Sequence, residues 1–344
     1  MPYLLNPDQF LKQAAKIPVI DVRSPAEFRQ GHIHGAFNVP LFNDDERARV
    51  GTTYVKTGCV EAKNLGYTIV EPKFDSFLKA ASEIAPAKQL LIHCWRGGMR
   101  SESLAGFYTE NGYKAGLLRG GYKAYRHYIR QEFSRPCNTI LLGGMTGCGK
   151  TEILGALASM NRQVIDLEAL ACHKGSSFGH LGLEGQPTTE QFENDLYALW
   201  DAIDDKEPVW IEHESNSIGA VFLPDPFYAK MNGSNMLRIN LPFKIRVRRI
   251  VAEYASFPAA QLEDALLRIR LRMGTLAFRE AVSALGIKDF EKVAEITLEY
   301  YDKLYALGLE RHPVKNVVDI QLQGDDPEIN AAIVLETAQT NKLL

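Results

Sequence analysis

Eight residues, Gly144-Met145-Thr146-Gly147-Cys148-Gly149-Lys150-Thr151, spell G-x4-G-K-T. The apolar run Asn138 to Gly143 precedes them and a helical pattern from Glu152 to Met160 follows. Strand, glycine-rich loop and helix, in that order, let backbone N–H groups wrap a di- or triphosphate. Lys150 would neutralise the anion, and the Thr151 hydroxyl is placed to hold Mg2+. Cys148, inside the loop, reads as a small filler. These features dictate an α/β domain with the loop at the end of a buried strand.

The residues that follow fit that frame. Gln163 to Asp166 and Val209 to Glu214 read as further strands. Asp166, Glu212 and Glu214 stand at their ends, where acidic groups can face a metal or simply the surface. Ala171 to Gly179 is polar and glycine-rich and reads as a mobile substrate loop, with His173 and Lys174 as candidate phosphate partners. Gln186-Pro187-Thr188-Thr189 opens a helix running to about Asp204. From Pro242 onward helices dominate, with Val247, Ile250, Val251 and Tyr254 on one core face. Lys244, Arg246, Arg248 and Arg249 cluster in one helix, and Arg268, Arg270, Arg272 and Arg279 in the next two. Such arginines serve either a solvated surface or an RNA-backbone patch.

A second motif lies upstream. His93-Cys94-Trp95-Arg96-Gly97-Gly98-Met99-Arg100-Ser101 follows a short apolar run, Gln89 to Ile92, and precedes a helical pattern starting near Ser101. A cysteine at the end of a strand, in a loop with two glycines, sits where backbone N–H groups form an anion nest. The following helix N-terminus, Arg96 and Arg100 add positive potential. All of these favour the thiolate, so Cys94 is the candidate nucleophile. The same letters read His-Cys-x5-Arg-Ser, and spacing alone does not separate chalcogen transfer from cysteine-phosphatase chemistry.

Further toward the N-terminus, Ser24 with Pro25 and Glu27 forms a helix start. Asp21 and Arg23 read as a structural pair near the cysteine loop, and His32 and His34 as turn residues rather than metal ligands. The segment Asn43 to Tyr67 is long and polar and reads as a cover or contact surface. Ser134-Arg135-Pro136-Cys137 breaks a helix, giving an expected division into residues 1–135 and 136–344.

The 344 residues are 46% hydrophobic and 24% charged with net charge −3. The balance excludes disorder and a globally basic nucleic-acid binder. No apolar run reaches the ~18 residues that span a bilayer, and no signal peptide is visible. Five cysteines at irregular spacing give neither a disulfide framework nor a zinc pattern, so a reduced cytoplasmic location is expected.

Three separated segments carry a family resemblance. "IDVRSPAEFRQGHIHGAFNVP", "LLIHCWRGGMRS" and "AGLLRGGYKAYRHYI" resemble the opening, the active-site loop and the closing elements of a rhodanese domain over roughly residues 5–133. The implied fold class is α/β, a rhodanese-like domain followed by a P-loop NTPase-like α/β domain with a helical C-terminal part. With "GGMTGCGKT", "CHKGSSFG" and "EHESNSIG", nearly the whole chain resembles the bacterial tRNA 2-selenouridine synthase family.

That resemblance implies a cytoplasmic transferase acting on U34 in the anticodon region of lysine, glutamate and glutamine tRNAs. It implies that 2-thiouridine is S-geranylated from geranyl diphosphate and then converted to 2-selenouridine with selenophosphate. Cys94 would carry selenium and the phosphate loop would serve geranyl diphosphate, although the motif itself equally suits a nucleotide. A ten-carbon chain would need an apolar pocket beside the phosphate loop, and no residue in the sequence marks it. The alternatives are a rhodanese-type sulfurtransferase or cysteine phosphatase with an attached nucleotide-binding domain, and a nucleotide-gated RNA-binding protein without chemistry.

Overall fold

A computed structural model describes residues 1–344, which divide into two compact units, Met1–Glu132 and Phe133–Leu344. In the first unit the chain runs β1 (Tyr3–Leu5), α1 (Pro7–Ala14), β2 (Val19–Asp21), α2 (Pro25–Gln30), β3 (Phe37–Asn38), α3 (Asp44–Thr57), α4 (Cys59–Val70), α5 (Phe74–Ile84), β4 (Gln89–His93), α6 (Met99–Glu110), β5 (Lys114–Leu118) and α7 (Gly121–Glu132). The five strands form a parallel sheet in the order β1-β5-β4-β2-β3. A parallel sheet buries both faces, which is why β4 is an unbroken run, Leu90, Leu91 and Ile92, without solvent exposure. It is the middle strand, and Cys94 follows its last residue.

Local chemistry fixes the helices. Ser24 caps α2 and Glu27 reaches back to the Ser24 N–H at 3.0 Å, with Pro25 in the first turn. Asn43 and Glu46 repeat the device at α3. The polar segment after Asn43 is therefore a pair of helices, α3 and α4. His32 stacks on Phe28 with its Nδ1 3.0 Å from the Phe28 carbonyl oxygen, which is a turn role.

The second unit contains β6 (Thr139–Gly144), α8 (Lys150–Ser159), β7 (Gln163–Ile165), α9 (Leu167–Ala171), α10 (Thr189–Asp201), β8 (Val209–Glu212), the short antiparallel pair β9 (Ser217–Ile218) and β10 (Val221–Phe222), and α11 (Asp225–Asn232). It continues with β11 (Asn235–Asn240), α12 (Phe243–Tyr254), α13 (Ala259–Met273), α14 (Thr275–Gly286), α15 (Phe290–Arg311), β12 (Asn316–Gln321) and α16 (Pro327–Thr340). The parallel sheet order is β12-β11-β6-β8-β7.

Helices dominate the C-terminal part as expected, with one strand among them: β12 returns to the sheet edge and α16 packs against its core. Arg238 of β11 pairs with Asp319 of β12 directly opposite it, at 2.7 and 2.8 Å. This cross-strand ion pair sits in an alternating stretch that follows the 22-residue α15, where a helical pattern masks it. No helix is long and apolar enough to cross a membrane.

Candidate active site

In the first unit the loop from Cys94 to Arg100 hangs from β4 and opens α6, which begins at Met99, two residues earlier than the sequence pattern suggests. Cys94 is buried, with Sγ 3.2 Å from Ser101 Oγ. Burial works against ionisation, but the Ser101 hydroxyl, the Arg100 charge and the backbone at Gly98 and Ser101 outweigh it, and the thiol falls below its ordinary range. Arg100 is held by Glu27 at 2.9 Å. Arg96 is exposed, so of the two arginines expected to serve the sulfur, Arg100 is the one that does. Gly97 has φ +66°, which permits the curl.

The loop is braced from behind. The Tyr122 N–H donates to the Cys94 carbonyl at 2.9 Å and the Lys123 N–H to the Trp95 carbonyl at 3.0 Å. Gly121, at φ +60°, comes so close that a Cβ there would run into the Cys94 carbonyl oxygen and the Gly97 nitrogen. Arg23 is buried against Asp21, donates to the Gly31 carbonyl, and lies 3.7 Å from the Tyr122 ring centroid. The expected Asp21–Arg23 pair is therefore present, and it shores up the residues that carry the loop. His93 is pushed down to about 4 by burial and is neutral at pH 7.

In the second unit the phosphate loop, Gly144 to Thr151, joins β6 to α8. Gly144, Gly147 and Gly149 all have positive φ. Cys148 is buried among apolar neighbours and its thiol is raised by burial, consistent with a filler. The Thr151 hydroxyl donates to Glu212 at 2.9 Å, and Glu168 lies 3.3 Å from it. Lys150 Nζ is 4.0 Å from Glu214.

Burial would lower the Lys150 ammonium, but the acidic groups around it, Cys148, Glu214, Glu168 and Glu212, hold it above the usual lysine range. Burial raises the carboxyls in turn, Glu168 and Glu214 to about 7 and Glu212 to about 8; repulsion among them adds to this and Lys150 opposes it. Glu212 and Glu214 both reach the loop, Glu212 at Thr151 and Glu214 at Lys150.

Asp166 caps α9, accepting from the Ala169 N–H at 2.8 Å, and lines the same cavity as the loop. Glu168, two residues on, is the one that reaches Thr151. Nothing in the local pattern distinguishes the two. Lys174 is tied to Glu253, and His173 is buried in the cavity wall with Nδ1 unpartnered. Two of the three α12 arginines also leave the surface role, while Arg248 stays exposed. Arg246 is buried, donates to the Thr146 carbonyl at 3.2 Å and pairs with Asp302 at 2.7 Å. Arg249 donates to the Gly147 carbonyl at 3.1 Å and to Glu152 at 2.5 Å. Both serve the phosphate loop rather than an open face.

A cavity of about 1780 Å³ adjoins this loop, lined by Lys150, Thr151, Glu168, His173 and Glu214 together with residues of α12, α13 and α15.

Comparison with known proteins agrees with both halves. A family profile described as the tRNA 2-selenouridine synthase AAA domain matches residues 137–339, and one described as a rhodanese-like domain matches residues 6–128. A tRNA 2-selenouridine synthase of Bdellovibrio bacteriovorus is 34% identical, over 90% of this chain and 94% of its own. The chain belongs to the tRNA 2-selenouridine synthase family. Other relatives of that name are found in Psychromonas ingrahamii, 30% identical over 94% of this chain and 95% of its own, and in Pseudomonas fluorescens, 35% identical over 86% and 77%. As a member of the tRNA 2-selenouridine synthase family, the chain carries both the thiolate loop and the phosphate loop within the matched regions.

Proposed function

We propose that this protein is a transferase that modifies the wobble uridine, U34, of lysine, glutamate and glutamine tRNAs, converting 2-thiouridine to 2-selenouridine through S-geranyl-2-thiouridine. One observation carries the reading: a buried cysteine whose thiol is held low by Ser101 and Arg100 shares a chain with a complete phosphate loop, and curated relatives of similar length are tRNA 2-selenouridine synthases.

The chemistry divides naturally. A thiocarbonyl sulfur leaves poorly until it is alkylated. In the first stage the 2-thio sulfur attacks C1 of geranyl diphosphate; an S–C bond forms, the C–O bond breaks and diphosphate departs. Gly144 to Thr151 would bind the diphosphate, with Lys150 facing its charge. Thr151 and Glu212 fit Mg2+, which takes few protein ligands and completes its shell with phosphate oxygens and water; the ion would offset the charge that Glu168, Glu212 and Glu214 present to the ester. In the second stage selenium at the selenide level replaces the geranylated sulfur at C2: a C–Se bond forms, the C–S bond breaks, geranylthiolate departs, and water takes the phosphoryl group of selenophosphate as phosphate. Cys94 is the group assigned to hold the selenium donor in place, and its backbone cradle suits an anionic chalcogen.

The test is nucleoside mass spectrometry of 2-thiouridine tRNA incubated with geranyl diphosphate, with selenophosphate and with both, for wild type and Cys94→Ala. The expected result is a geranyl adduct from the first donor in both proteins and 2-selenouridine from the pair only in wild type. Unmodified tRNA throughout, with thiosulfate or phosphoester turnover instead, would replace this reading with a sulfurtransferase or a phosphatase.

A further inference from the structure

His173 lines the cavity beside the phosphate loop and is held there from more than one side. Its backbone N–H donates to the Glu168 carbonyl at 3.0 Å, closing α9. Its Cδ2 lies 2.8 Å from where a Cβ on Gly219 would stand, so the turn between β9 and β10 leaves room for the ring because residue 219 is glycine. Gln186 clamps the two segments together. Its amide donates to the Ala171 and Ile218 carbonyls, each at 2.9 Å, and accepts from the Ala220 N–H at 2.7 Å. Gln186 is thereby spent on backbone, whereas His173 spends nothing. The residue is 8% exposed, Nδ1 is sealed from solvent, and neither ring nitrogen has a hydrogen-bond partner. A buried polar group left unpaired is costly, and one so firmly held calls for a ligand that pairs it.

The same stretch borders the phosphate loop. Gly175, two residues on, comes so close to Glu214 and Glu168 that a Cβ there would stand 3.0 and 3.1 Å from their carboxylate oxygens. Both carboxyls act on Lys150. The other groups nearby that could take a proton are committed or opposed. Glu168 and Glu212 accept from Thr151, Glu214 faces Lys150, and Lys174 is tied to Glu253. His213 stands where the Lys150 charge opposes an added proton. Burial, and then the charges of His180 and Arg268, hold His173 below the usual histidine range, so its imidazole is neutral at pH 7. A neutral imidazole keeps one nitrogen as an acceptor, and no contact of the protein fixes which one.

Alkylation at sulfur has a requirement that a diphosphate cradle does not meet. 2-Thiouridine carries a proton on N3 and a double bond from C2 to sulfur. Once the sulfur has taken a carbon, the C2–N3 bond becomes double and the N3 proton leaves; with the proton retained the product is a cation. A base within reach of N3 removes that charge as it forms. We propose that His173 is this base, accepting the N3 proton as the sulfur attacks C1 of the diphosphate ester. The S–C1 bond forms, the C1–O bond breaks, diphosphate departs with the electron pair, and the imidazolium afterwards gives its proton to water. The inference rests on the assignment of the phosphate loop to geranyl diphosphate.

The experiment measures the initial rate of geranyl adduct formation on 2-thiouridine tRNA by the full chain, with Mg2+ and saturating geranyl diphosphate, from pH 6 to pH 10. Wild type is compared with His173→Gln and His173→Asn. At pH 7 both variants should be slower by about a hundredfold, the low end for a lost general base, while calorimetric binding of inorganic diphosphate persists. As pH rises N3 ionises without help, and the variants should converge on the wild-type rate. A histidine that only supports the fold gives a deficit that does not shrink with pH. Such a deficit, loss of inorganic diphosphate binding in both variants, or variants as fast as wild type at pH 7 would overturn the assignment. So would a pH-dependent recovery found in His213→Gln and not in the His173 variants. No geranyl adduct from wild type at any pH would instead overturn the geranyl reading of the loop itself.

Discussion

Cys94 Sγ and Ser101 Oγ lie 3.2 Å apart, on opposite ends of one loop. The loop therefore closes on its own sulfur: the hydroxyl comes from the first turn of α6, the helix whose N-terminus also faces the thiol. Removing that hydroxyl leaves burial, which favours the neutral thiol, less opposed. Ser101→Ala should raise the Cys94 pKa and slow its alkylation at pH 7 by roughly several-fold. The pH profile of iodoacetamide labelling measures it. An unchanged profile would assign the low thiol to Arg100 and the backbone alone.

Gly121→Ala places a Cβ against the Cys94 carbonyl and the Gly97 nitrogen, at a φ of +60°. The change should cost about 2 kcal/mol or more, read by urea unfolding, and should displace the loop, so that Cys94 labelling slows as well. A variant that loses neither would mean the brace behind the loop is dispensable.

Lys150→Ala removes the cation that Glu168, Glu212 and Glu214 surround. Inorganic diphosphate binding should weaken by at least about a hundredfold, the loss typical when one partner of a buried charge pair is truncated. Calorimetry checks this, with Cys94 labelling as the control that the first unit remains intact.

Glu212 gives a pH signature. Its folded pKa, about 8, lies above its unfolded value, so the folded state holds the extra proton. Stability from this group is fully present below the unfolded pKa near ~4.3 and is lost as pH rises toward 8. Glu212→Gln has no such loss. In metal-free buffer the variant's Tm relative to wild type should therefore climb from pH 5 to pH 8. A pH-independent difference would mean that Glu212 is ionised throughout.

Much of this was legible before any coordinates. The two functional loops announce themselves because glycine, lysine, cysteine and arginine at fixed offsets after an apolar strand have few other uses. The Asp21–Arg23 pair, the α2 cap and the Cys148 filler were local enough to read. Glu168 was not, because α9 turns it toward Thr151 and spends Asp166 as a cap, an outcome set by one helical turn. Arg246 and Arg249 looked like surface charge because their partners, Asp302 and the loop carbonyls, are remote in sequence. β12 was hidden behind a long helix, and it is made a strand by backbone pairing with β11, a partner remote in sequence.

Each functional loop leaves a strand that is flanked on both sides. β4 needs β2 and β5, and β6 needs β8 and β11. This has a meaning for how the protein is born. The residues of the phosphate loop emerge from the ribosome with Thr151, but the strand that aims them lacks its second neighbour until Asn240 has been added, and α15, which walls the cavity, comes later still. Pairings so distant in sequence form late. A chain that stops short of β11 thus carries the whole G-x4-G-K-T motif without the second strand that aims it and without the helix that walls its cavity.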